Sequence, residues 1–103
     1  MLLFERRHGD TIVVDLHGPV DRDHGDLNAL LTRLRSLANH GCANITLNVA
    51  ELTDVDSVVI GAIAHAYIST SRAGATLRLQ NVPPLLRQLL ATTKLDRVIE
   101  ILD

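Results

Sequence analysis

Residues Leu47–Ile60 read L-N-V-A-E-L-T-D-V-D-S-V-V-I, and this stretch decides how the chain is built. Its first part belongs to a strand over Asn44–Val49, where Ile45, Leu47 and Val49 alternate with polar neighbours at the period of two of a half-buried strand. Its last part opens a long apolar segment, Ser57–Ala73, in which Ile60, Ile63, Ala64, Tyr67 and Ile68 form the strongest helical face. Glu51–Asp56 is the polar connection between them. A strand, a short polar loop and a helix make the repeating unit of an α/β fold.

The same alternation continues on both sides. Leu2–Arg6 and Thr11–His17 are strands joined by the turn His8-Gly9-Asp10. Gly18-Pro19 ends the second, and the polar Asp21–Asp26 stretch follows. Leu27, Leu30, Leu31, Leu34 and Leu37 then give one apolar helical stripe, stopped at His40-Gly41. After Gly74, Ala75–Leu79 is a fourth strand. Asn81-Val82-Pro83-Pro84 breaks it and opens a short helix carrying Leu85, Leu86, Leu89 and Leu90. Val98–Leu102 is either a short strand or a helical turn. The order β-β-α-β-α-β-α predicts an α/β domain spanning residues 1–103, with a mixed sheet of four to five strands and helices packed on it.

Composition removes several classes of function. The chain has 103 residues, of which 47% are hydrophobic and 2% aromatic, so its core is aliphatic. With Phe4 and Tyr67 as its aromatics and a net charge of −2, it lacks both stacking platforms and an electrostatic drive towards nucleic acid. Cys42, the single cysteine, reads as a small packed thiol. No segment approaches the ~20 apolar residues of a membrane span, and the N-terminal M-L-L-F-E-R-R-H-G-D is not a signal peptide. A cytoplasmic location without membrane insertion is expected. His8, His17, His24, His40 and His65 lack helical i, i+4 spacing, so neither a metal site nor a cofactor is expected.

Asp54, Asp56 and Ser57 are the residues around which chemistry could be built. A D-x-D pair after a strand resembles the nucleophile loop of haloacid-dehalogenase-type phosphatases, which use Mg²⁺. A hard cation needs several oxygen ligands. After Asp56 the only acids are Asp96, Glu100 and Asp103, at the far end of the chain. A second reading is structural: Asp56 or Ser57 caps the following helix by accepting a backbone N–H bond. A third is modification. A serine in the first turn of a helix is reachable, and a phosphate there adds about two negative charges, which the helix macrodipole tolerates. Ser57 has no G-x-S-x-G setting and no base beside it in sequence, so it suits the role of substrate better than that of nucleophile.

Taken together, the motifs resemble the STAS family, the domain of sulphate transporters and anti-sigma-factor antagonists. The resemblance rests on L-H-G-P-V-D at Leu16–Asp21, L-N-V-A-E-L-T-D-V-D-S at Leu47–Ser57, R-A-G-A-T-L-R-L at Arg72–Leu79 and V-P-P-L-L-R-Q-L-L-A-T-T-K-L-D-R-V-I-E-I at Val82–Ile101. It implies a non-enzymatic, phosphorylation-controlled protein-interaction switch. The implied partners are an anti-sigma factor that is also a serine kinase, and a PP2C-type phosphatase that resets the switch. Ser57 is the implied phosphoacceptor, Asp56 the adjoining acid and Asp21 the acidic loop position near the same surface. Val58 and Val59 complete the expected partner-binding set, as a dry contact patch or packed against Val20 or the sheet edge.

The chain departs from the antagonist pattern D-S-[ST]-G-L-G at Val58 and Val59, and carries Lys94 where the family often has glycine. Some STAS proteins of stress-signalling assemblies carry D-S followed by apolar residues and are still phosphorylated. The alternative function is a constitutive STAS subunit of a stress-sensing assembly or of a lipid transporter.

Overall fold

The computed structural model describes residues 1–21 and 25–102. His24 and Asp103, weighed above as a ligand and a downstream acid, lie outside them. Among the described residues the elements run β1 (Leu2–His8), β2 (Thr11–Gly18), α1 (Asp26–Asn39), β3 (Asn44–Leu52), α2 (Ser57–Arg72), β4 (Thr76–Gln80), α3 (Pro84–Thr92), a 3₁₀ turn (Leu95–Arg97) and β5 (Glu100–Leu102). Within Val98–Leu102 the outcome is the strand, over Glu100–Leu102, while the helical turn lies just before that segment, at Leu95–Arg97.

Five strands form one sheet in chain order, β1-β2-β3-β4-β5. The β1–β2 hairpin is antiparallel, and every later pair is parallel. A parallel neighbour needs a crossover, and each crossover here carries one helix. Leu30 and Leu34 of α1, Val59, Ile63 and Ala66 of α2, and Leu86 and Leu90 of α3 join one buried cluster. That cluster is completed by Ile12, Val14, Leu16, Ile45, Leu47, Val49, Leu77 and Leu79, which occupy one face of the sheet. The helices therefore cover that face and leave the other open.

The open face is held by polar side chains rather than by a second layer. Arg6, Val13, Thr46, Arg78 and Glu100 lie in one register row across it. Val13 and Thr46 are only 7% and 4% exposed despite facing outward. Long neighbouring side chains shield them with their aliphatic stems. Arg6 donates from Nε and Nη2 to the two carboxylate oxygens of Asp15, at 2.8 and 3.0 Å. Asn48 donates to Asp15 at 2.7 Å, and Arg78 pairs with Glu100 and donates to Asn44 at 3.0 Å. On the helix-covered face, Glu5 of β1 is paired with Arg33 of α1.

Two features explain where element boundaries differ from the sequence expectation. β3 runs past Val49 to Leu52 because a bulge absorbs one residue: Asp15 pairs with Asn48, but His17 pairs with Glu51. The Ala50 N–H is satisfied by Asn48 Oδ1 at 3.2 Å. The extra residue breaks the alternation and conceals the end of the strand. The second feature is Lys94, which holds φ 63, ψ 15 before the 3₁₀ turn. The left-handed geometry that a glycine would favour is thus retained with a lysine in place.

A side chain in that conformation costs roughly 1–2 kcal/mol, against about 0.5–1 kcal/mol of extra chain entropy lost by glycine. Lys94→Gly is expected to raise the thermal midpoint by a few degrees; an unchanged or lower midpoint would remove the strain at this position. The Arg6 hydrogen bonds are the main cause that holds the Asp15 carboxyl below its ordinary pKa, against an opposing effect of burial, with Asn48 adding to the lowering. A depressed folded pKa means stability that is present above the unfolded value and lost as pH falls through the folded one. Arg6→Gln is therefore expected to move the Asp15 carboxyl titration, followed by NMR, to higher pH.

Candidate functional site

The site forms where β2 and β3 end and α2 begins. The Thr53 N–H donates to the Gly18 carbonyl at 3.2 Å, so the start of the loop after β3 is tied to the last residue of β2. Asp54 then takes φ 53, a left-handed conformation that aspartate adopts more readily than most residues. Beyond this bend Val55 packs against the core, while Asp54 and Asp56 remain exposed.

Asp56 is the N-cap of α2. Its Oδ1 accepts hydrogen bonds from Val58 N at 2.9 Å and Val59 N at 3.3 Å. These are backbone donors that an α-helix cannot satisfy internally at its start. Between Asp56 and Ser57, the cap therefore belongs to Asp56. Ser57 occupies the first helical position, is exposed, and its hydroxyl makes no hydrogen bond among the described residues. No base among those residues lies within hydrogen-bonding distance of it, so none of them activates Ser57 as a nucleophile. Among the described residues no three His, Cys, Asp or Glu side chains gather as metal ligands, and the D-x-D pair is divided between a bend and a cap.

The two valines separate. Val59 is 1% exposed and lies in the core beside Ile63. The partner-contact role expected of Val59 is therefore corrected: its side chain fills the interior and presents no surface. Val58 is half-buried and lines an apolar pocket of about 190 Å³ with Val20, Gly25, Leu27, Asn28 and Ala62. The pocket brings the loop after β2 and the first turns of α1 and α2 to one place. Asp21, half-buried, directly follows Val20; its N–H donates to Asp26 Oδ2 at 2.6 Å. Leu27 and Ala62 were not singled out from sequence as site residues, because each reads simply as part of an apolar helix face.

These features define an α/β domain with a capped helix start as its most accessible chemical feature. The family model described as "Mlab, STAS domain" matches residues 3–102, and the chain belongs to that family. No curated protein matches it. Among solved structures it is similar to the TM1081 protein of Thermotoga maritima, with 20% identity, a TM-score of 0.81, and coverage of 98% of this chain and 86% of that one. The anti-sigma factor antagonist SpoIIAA in its unphosphorylated form has 17% identity and a TM-score of 0.72, with 99% and 88% coverage. SpoIIAA is a Bacillus protein that has also been solved phosphorylated. A serine-to-glutamate variant of RsbS from Moorella thermoacetica has 15% identity and a TM-score of 0.74, with 97% and 85% coverage. At these identities the likenesses establish the fold.

If the Asp56 carboxylate supplies the cap, Asp56→Ala loses about 1 kcal/mol of stability in chemical denaturation. Asp56→Asn keeps an accepting side-chain oxygen and stays within a few tenths of a kcal/mol of wild type. Equal losses in the two variants would mean that the cap contributes nothing.

Proposed function

We propose that the chain is a protein-interaction switch of the anti-sigma-factor-antagonist type, controlled by phosphorylation at Ser57. The carrying observation is the division of labour between two adjacent residues. Asp56 does the structural work of the helix start, and the exposed Ser57 hydroxyl is left without a bond to lose. A phosphoryl group transferred from ATP forms a new bond to Ser57 Oγ. ADP leaves, and the hydroxyl proton passes to a base of the kinase. The dianion then sits at the positive end of α2, where the macrodipole favours it. The domain keeps its fold while the charge of its surface changes.

The partner in this reading is an anti-sigma factor that is also a serine kinase, with a PP2C-type phosphatase reversing the modification. Asp21, Asp56, Ser57 and Val58 form the contact surface. The chain acts as a substrate and ligand rather than as a catalyst. A constitutive subunit of a stress-sensing assembly or lipid transporter is the second reading. It is supported by Val58, which extends the apolar wall of the adjoining pocket where the antagonist pattern has a hydroxyl. A permanent contact surface would favour such a dry wall.

Intact-mass analysis after incubation with ATP and the cognate kinase tests the switch. The wild type is expected to gain one phosphoryl group and Ser57→Ala none. No gain on wild type, or the same gain on the variant, contradicts the assignment.

A further inference from the structure

A second surface lies at the other end of the helical layer. Ser57 begins α2 and Arg72 ends it, about 22 Å further along the axis. The C-terminal parts of α1 and α2, from Leu31 and His65 onward, border an open groove of about 340 Å³ that runs towards that end. From α1 come Leu31, Arg35 and Asn39, at i, i+4 and i+8; from α2 come His65, Ile68, Ser69 and Arg72, at i, i+3, i+4 and i+7. Each set is one stripe of its helix, so the two stripes face a shared channel.

The groove combines aliphatic and basic side chains. Leu31 is half-buried, and Ile68, at 46%, is one of five large hydrophobic side chains exposed among the described residues. Arg35 and Arg72 stand on opposite helices, with His65 between the ends of the groove, and no Asp or Glu lines it. Elsewhere Arg6, Arg33 and Arg78 are paired with Asp15, Glu5 and Glu100. Among the described residues neither Arg35 nor Arg72 has a carboxylate partner. Arg35 Nε donates instead to the Leu31 carbonyl at 3.4 Å. In a chain whose net charge is −2, two guanidinium groups without carboxylate partners, beside exposed aliphatic surface, form a local basic patch.

We infer that this α1–α2 groove docks an acidic amphipathic helix of a protein partner, independently of the state of Ser57. Its apolar side chains would cover Leu31 and Ile68, and its carboxylates would pair with Arg35 and Arg72. Charge complementarity favours this occupant, and the aliphatic side chains of Leu31 and Ile68 favour a peptide over a simple anion.

A synthetic helical peptide with leucine at every fourth position and glutamate between them is the probe, followed by amide NMR shifts. Binding is expected to shift residues around Leu31, Arg35, His65, Ile68 and Arg72, and to weaken with added salt. The Arg35→Glu/Arg72→Glu double variant is expected to weaken it about tenfold or more. Arg35→Gln/Arg72→Gln, which removes the charge without adding repulsion, should give an intermediate loss if the variant is folded. Ser57→Asp should leave the affinity unchanged.

Absence of binding up to about 1 mM peptide overturns the inference. So does equal binding of a lysine-for-glutamate peptide, or indifference to the arginine substitutions. Inorganic phosphate or phosphatidylglycerol vesicles that produce the same arginine-dependent shifts more strongly than the peptide would also overturn it. Because Ser57→Asp is a separate arm, failure here leaves the Ser57 switch intact, and failure of that switch leaves the groove.

Discussion

The structure depends on one topological constraint: the strands stand in the sheet in the order in which they occur in the chain. Each parallel step then requires a crossover helix, and the helices share one buried cluster on one face. Parallel strands also deliver their C-terminal ends to the same edge, where the next helices begin. There the Thr53–Gly18 hydrogen bond joins the start of the loop after β3 to the end of β2. The placement of Ser57 follows from this arrangement more than from any local motif. The opposite edge receives the helix C-termini, and with them the basic groove.

At the helix start, neighbouring side chains have separate physical tasks. Asp56 satisfies two backbone donors. Ser57 remains exposed, Val58 lines a pocket and Val59 fills the core. A chemical change at Ser57 therefore acts on the surface and breaks no bond of the fold. The open sheet face contributes differently: the Arg6–Asp15–Asn48 network shields the middle of the sheet without a second layer of helices.

The periodicity of the chain disclosed most of this architecture, because half-buried strands and one-sided helices write their burial directly into sequence. In α2, apolar nearly all round, it misplaced the face: the buried side is Val59, Ala62, Ile63, Ala66 and Thr70, while Ile60, Ala64 and Tyr67 are half-buried and Ile68 is exposed. Leu27 to Leu37 and Ile45 to Val49 needed no tertiary information. The end of β3 did, since a bulge at Ala50 interrupts the pattern while the ladder continues. β5 is three residues long, too short to establish a period. At the site, sequence identified the cap and the reachable serine but could not divide the roles of Asp56 and Ser57 or of Val58 and Val59. Those depend on which side chain points inward, and adjacent valines are chemically alike. The groove was hidden for another reason: Arg35 and Arg72 lie on separate helices and read individually as solvated faces.

The central claim is that charge at Ser57 governs partner affinity while the fold stays the same. Calorimetric titration of the proposed anti-sigma-factor kinase with unmodified and Ser57-phosphorylated protein tests it most directly. A desolvated, unmatched phosphate costing ~3 kcal/mol corresponds to roughly 100-fold weaker binding. The account expects a loss of that order with the circular dichroism of the two forms superimposable. Equal affinity of the two forms would contradict it and favour the constitutive-subunit reading.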